Sequence, residues 1–180
     1  MMLDVDCTYP SVKSVADIVD KIAERVDETP KGGWVRGWGY DDSKLEERVH
    51  PTRWDLDKVS PDNPVYIRRT CVHMGVANSL ALRLSGITAD TPDPEGGRID
   101  RDPATGEPTG LLMDRAQDLI AIPPYTDQEV ERGFALALGQ LPKWGITTVH
   151  DMLVDADAFA TYQRLAESHS LPARVRVWLE

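Results

Sequence analysis

The sequence predicts an α/β chain in two parts. An α+β segment of helices, strands and a hairpin is expected over 1–123, and a helix-strand-helix-strand unit over 124–180. Three observations carry this. Side-chain caps at Ser14, Thr52, Asn78 and Thr126 each precede apolar residues at helical spacing. Short alternating or β-branched runs fall between those helices. Pro123-Pro124 separates a hairpin-bearing, glycine- and proline-punctuated stretch from a regular helix-strand alternation.

Along the chain, Ser14 with Asp17 opens a helix to about Asp27, carrying Val15, Ile18, Val19, Ile22 and Val26 on one stripe until Pro30-Lys31-Gly32-Gly33 ends it. The run 34–40 alternates large and small residues and is expected to be a strand. Its even spacing places Trp34, Trp38 and Tyr40 on one face, either as pocket wall or as ordinary core. Thr52 with Asp55 caps a short helix that Ser60-Pro61 stops. Residues 64–70 form the next strand. Asn78 N-caps a helix that Gly86 closes at C′. A hairpin pairs 98–101 with 109–112 through Pro103 and Gly106. Beyond it, Thr126 with Glu129 opens a helix with Val130, Phe134, Leu138 and Leu141 on one stripe, broken by Gly145. A strand over 146–151, a helix over 155–168 and a strand over 174–179 follow. Two parallel strands with open edges do not make a complete core, so the chain is expected to have continued. The Val175–Leu179 edge would also invite self-association.

Thirty acidic against twenty basic side chains give a net charge of −10. Such a polyanion repels phosphate backbones, and its longest basic run is Arg68-Arg69, so no nucleic-acid partner is expected. No apolar run approaches the roughly 18 residues of a membrane span, and no membrane partner is expected. The acidic start MMLDVDCTYPSVKS lacks the pattern of a secretory leader. Cys7 and Cys71 are therefore expected to remain thiols in a cytoplasmic protein.

Longer strings are more specific. The segment GGWVRGWGYDDSKLEERVHPTRWDLDKVSPDNPVYIRRTCVHMGVANSLALRLSGI, then TPDPEGGRIDRDPATGEPTGLLMDRAQDL and GITTVHDM, resembles the YtcJ-like branch of the amidohydrolase superfamily, its amidohydrolase family 3 group. The likeness is collinear from about Asp4 to Leu179. It implies a partial (β/α)8 barrel of about two strands joined to the family's inserted subdomain. It also implies metal-dependent hydrolysis of non-peptide C–N bonds in a small amide-type substrate. The divalent metal, expected to be zinc, would lower the pKa of its bound water to about 7. The family's His-x-His would precede Met1, and its lysine, later histidines and aspartate would follow Glu180. No metal ligand maps onto this chain, which is expected to hold no metal and to be inactive alone. A non-catalytic binding or assembly module is the rival reading. In one departure Val72 stands where members of the group are expected to carry glycine before the histidine of a Thr-Cys-Gly-His run. A β-branched residue is strained at the positive φ that glycine accepts.

His50, His73, His150 and His169 are scattered, with no His-x-His or His-x-x-x-His pair among them. The expected substrate-binding residues are His73, Arg69, Asn78 and Trp38, through imidazole, guanidinium and amide hydrogen bonds and an aromatic wall. Against this, His73 could simply tie down its loop and Asn78 simply cap its helix. His150-Asp151 ends a strand, and neighbours there point to opposite faces, which favours hydrogen bonding over joint metal ligation. Asp41-Asp42 and Glu46-Glu47 are expected to be solvated acidic loops. Gly96, Gly97, Gly106 and Gly110 lack the ending of a phosphate loop and serve turns.

Overall fold

The structure, a computed structural model, describes residues 3–179. Two compact units divide it, Leu3–Ile122 and a second beginning at Pro123.

The first unit is built on a six-stranded sheet. Strands β1 (Val5–Asp6), β2 (Val35–Tyr40) and β3 (Val65–Arg69) are parallel. Strand β4 (Met74–Ala77) turns back against β3. Strand β6 (Pro108–Asp114) runs against β4, and β5 (Gly97–Arg101) lies antiparallel on the outer edge of β6. Alternation along the strands sends side chains to two cores. Val65, Ile67, Val76 and Leu111 join one with Ile18 and Ile22 of helix α1 (Val15–Glu28). Tyr66, Ala77 and Leu112 join the other, with Ala81 and Leu82 of helix α3 (Ser79–Leu84).

Helix α1 begins where its sequence says. Ser14 Oγ accepts the Asp17 N–H at 3.1 Å while Asp17 Oδ2 accepts the Ser14 and Lys13 N–H groups. Ile18 and Ile22, one helical turn apart, are fully buried, worth about 1.5–3 kcal/mol each. In the short helix α2 (Arg53–Asp57), Asp55 Oδ2 holds both the Thr52 N–H and hydroxyl.

Three expectations are corrected. Strands β1 and β4 were not foreseen: β1 is two residues long, too short for a pattern, and β4 is reached through a turn with no glycine or asparagine. Trp34, Trp38 and Tyr40 do not share a face. The β2–β3 register shifts between Trp38 and Tyr40, where Gly39 takes φ +94°, so Tyr40 rotates into the core with Val35 while Trp34 packs against the other. Leu141 is not part of the fourth helix. That helix, α4 (Asp127–Leu138), stops early, and Pro142 sits in a separate 3-10 turn ending at Gly145 in the left-handed region.

In the second unit, β7 (Thr148–Val154) and β8 (Arg174–Leu179) pair in parallel, with α4 and α5 (Ala156–Glu167) supplying the helices. Phe134 of α4 meets Tyr162 of α5 edge-to-face at 4.7 Å. Among the described residues no helix is long and apolar enough to cross a membrane.

Asn78 links several of these elements. Its Oδ1 accepts the N–H groups of Val65 at 3.0 Å and Ala81 at 2.9 Å. Its amide donates to Ser60 and Asn63 carbonyls, and the residue is fully buried. Asn78→Ala strands the Val65 donor and removes the α3 cap. It should cost about 3 kcal/mol or more, read as a fall in the urea midpoint; a change under about 1 kcal/mol would remove Asn78 from this role.

Candidate functional site

Strands β1, β2, β3 and β6 all point their carboxyl ends to one edge of the sheet, and β4 starts there. In α/β sheets that edge is where ligands collect. Here it carries Asp41, Asp42, Arg69, Cys71, His73 and Asp114, in two groups.

The first group is an ion network behind β2 and β3. Arg69 Nε donates to Asp42 Oδ1 at 2.5 Å and Nη2 to Asp41 Oδ1 at 3.0 Å. The three side chains are only 14–22% exposed. Asp41 and Asp42 are therefore not a solvated loop. The signal available was an arginine ending the neighbouring strand. The Ser43 hydroxyl is the main cause of a lowered Asp41 pKa, with Arg69 adding to it. Hydrogen bonds from Arg69 to Asp42 and to Cys71 raise the guanidinium pKa. Burial opposes ionisation of Cys71, yet Arg69 and the His73 backbone N–H draw its thiol below the ordinary value. His50 Nδ1 stands 3.1 Å from the Tyr40 hydroxyl and 3.6 Å from Asp42. Burial lowers its pKa, with Arg69 adding to burial and Asp42 and Asp100 opposing.

The second group surrounds the β3–β4 turn. The Val72 N–H closes it onto the Arg69 carbonyl at 3.0 Å. Val72 adopts φ +63°, the geometry that glycine would supply, so the departure noted in the sequence is a strained residue in place. His73 follows, its Nδ1 3.0 Å from Asp114 Oδ1, with both side chains mostly exposed. Asp114 itself sits at φ 47°, ψ −123°, a corner that also favours glycine. Two such residues cost about 1–2 kcal/mol each, whereas an exposed ion pair contributes at most about 1 kcal/mol. The ion pair alone does not offset that cost.

Of the four expected substrate contacts, the structure brings His73 and Arg69 to the same edge. Trp38 lies on the neighbouring strand, two residues before its end, half-buried and level with Asp6 and Arg68 across the sheet. Asn78 is elsewhere. It stands at the far end of β4, roughly 16 Å from His73 at about 3.3 Å per strand residue, with both amide atoms engaged in the fold. Asp114 and Gln117 were not singled out by the sequence, because their relation to His73 depends on strand pairing. In the second unit, His150 Nδ1 accepts the Trp178 indole N–H at 3.2 Å, and Asp151 accepts the Tyr162 hydroxyl at 2.7 Å, on separate partners. Among the described residues no three His, Cys, Asp or Glu side chains are placed to hold a metal ion.

The first unit is thus a mixed α/β sheet with polar groups gathered at its carboxyl edge. The chain belongs to the amidohydrolase family, whose model it matches over residues 1–179. It is 34% identical over 174 residues to an N-substituted formamide deformylase of Arthrobacter pascens, covering 93% of this chain and 32% of that protein. It is 40% identical over 142 residues to a putative amidohydrolase, YtcJ, of Bacillus subtilis, covering 78% and 27%. A solved metal-dependent hydrolase of Pyrococcus horikoshii, described as uncharacterized, matches 98% of the chain and 32% of its own length, with TM-score 0.65 and 26% identity. One from Pyrococcus furiosus gives 0.63 at the same identity. The chain thus spans about a third of the length of these relatives.

Two outcomes test the edge. Val72→Gly relieves the turn and should raise stability by about 1 kcal/mol; a lower urea midpoint than wild type would contradict the strain. His50 is held below its ordinary value of 6.5, so the unfolded chain binds its proton first. Its contribution is complete above that value and is lost as pH falls below it. His50→Gln should flatten the decline in urea midpoint on mild acidification; an unchanged slope assigns the decline to other groups.

Proposed function

We propose that this chain supplies the substrate-facing part of a metal-dependent hydrolase acting on non-peptide C–N bonds of the amide type, N-substituted formamides being the leading class. The observation that carries the reading is the family match along the whole chain, and the polar carboxyl edge supports it. In this reading the first unit is the family's inserted subdomain and β7 and β8 are two strands of a (β/α)8 barrel. The metal, zinc, is held by residues other than those described, so no step of bond cleavage is assigned to this chain and alone it is inactive. A cytoplasmic setting, where Cys7 and Cys71 stay as thiols, fits the composition.

The roles left to the chain are binding and orientation. His73, exposed at the turn, offers a hydrogen bond to the amide. The Trp38 indole offers an apolar wall to its N-substituent. Arg69, committed to Asp41 and Asp42, holds the ends of β2 and β3 together beneath them. Asn78 acts through the strand it anchors.

A second reading has its own observation. Met152, Leu153, Trp178 and Leu179 at the carboxyl end of the β7–β8 layer are 55–76% exposed, an apolar surface suited to assembly. Light scattering separates the two, since an assembly module self-associates at micromolar concentration.

Formanilide added to the isotope-labelled chain should shift the ring resonances of His73 and Trp38. Formate release, with or without zinc, should stay at the uncatalysed rate. Turnover by the zinc-loaded chain would overturn the division of labour, and unmoved ring signals would remove the contact.

A further inference from the structure

The turn that presents His73 is fastened from behind by a chain of hydrogen bonds. The Asp114 N–H donates to the His73 carbonyl at 2.7 Å. Gln117 Nε2 donates to the carbonyls of Val72 at 3.0 Å and Asp114 at 3.3 Å, so one amide ties together both strained residues. Its Oε1 in turn accepts the Tyr66 hydroxyl at 2.9 Å. Tyr66 is buried, and its hydroxyl crosses the backbone at Gly75, where a Cβ would lie 2.2 Å away. The strain at Val72 and Asp114 is therefore set against the core of the sheet, and it delivers one result: the Asp114 carboxylate on Nδ1 of an exposed imidazole.

We propose that Asp114 is the positioning residue of His73, that Gln117 holds the pair, and that together they select amides that carry an N–H. An ionised carboxylate only accepts, so the neutral ring places its proton on Nδ1 and donates it to Asp114. The distal Nε2 is then a lone-pair acceptor on the exposed side. An acceptor there is satisfied by the N–H of a secondary amide and by nothing on a fully N-substituted one. Loss of that hydrogen bond separates substrates that share the same carbonyl and the same apolar group. This rests on the reading of His73 as a substrate contact and adds to it which nitrogen makes the contact and what makes it an acceptor.

Long-range 15N–1H correlation on the 180-residue chain, with its neutral histidine rings labelled, reads the tautomer directly. Wild type should show His73 predominantly as the Nδ1–H form. Asp114→Asn should move the population toward Nε2–H, Asp114→Glu should restore it, and Gln117→Ala should move it partway, with the amide spectrum otherwise retained. Formanilide should perturb Nε2, N-methylformanilide should not, and formanilide binding should weaken about tenfold in Asp114→Asn. A tautomer indifferent to Asp114→Asn overturns the inference and leaves the substrate-contact reading standing. A tautomer that responds while neither amide perturbs the ring overturns that reading, and the selectivity with it. Equal perturbation by both amides overturns the selectivity alone.

Discussion

The carboxamide of Asn78 holds three segments at once, and the register of the central strands depends on it. Its oxygen binds the first residue of β3 and the first turn of α3, while its nitrogen binds the loop at Ser60 and Asn63. With Asn78 opposite Val65, β4 is fixed antiparallel to β3 as Tyr66 with Ala77 and Arg68 with Gly75. A slip of β4 by one residue against β3 would exchange Val76 for Ala77 in the core that Ile67 faces. A polar residue at 0% exposure thereby decides which apolar residues go where.

The same register decides what stands at the other end of the strand pair. Once Arg68 faces Gly75, the chain has few residues in which to reverse, and Val72 takes the left-handed conformation to do it. Gly75 is opposite an arginine rather than a bulky apolar residue, and its missing side chain gives passage to the Tyr66 hydroxyl. Tyr66 reaches Gln117, Gln117 reaches the turn, and the turn presents His73. Each link is an ordinary hydrogen bond; what is unusual is that they converge on two residues in costly conformations. An amide anchor at one end of β4 and a strained turn at the other are two consequences of one pairing.

The functional weight of the carboxyl edge lies in its division into a sheltered and an exposed group. Arg69 with Asp41 and Asp42 is partly screened from water and closed on itself, which suits holding strand ends in place. His73 with Asp114 is open, which suits contact with something that arrives. The family to which the chain belongs makes that visitor a small amide-type molecule in the proposed reading.

The sequence by itself determined the elements whose cause is local. The capping boxes at Ser14 and Thr126, the Asn78 cap, the hairpin pairing 98–101 with 109–112 and the helix-strand alternation after Pro123 all follow from residues within a few positions of each other, where spacing and hydrogen-bonding chemistry suffice. The long ordered strings also sufficed for the family. Only the tertiary structure decided the rest. Strand β4 has no turn signature because its turn is held by a distant glutamine. Tyr40 leaves the face its spacing assigns because a register shift intervenes against β3. Asp41 and Asp42 are sheltered because an arginine 27 and 28 positions away lies across them. Asp114 meets His73 because β4 pairs with β6, across 41 residues. Local patterns record propensities, whereas partners brought together by sheet pairing are recorded nowhere in the spacing of the chain.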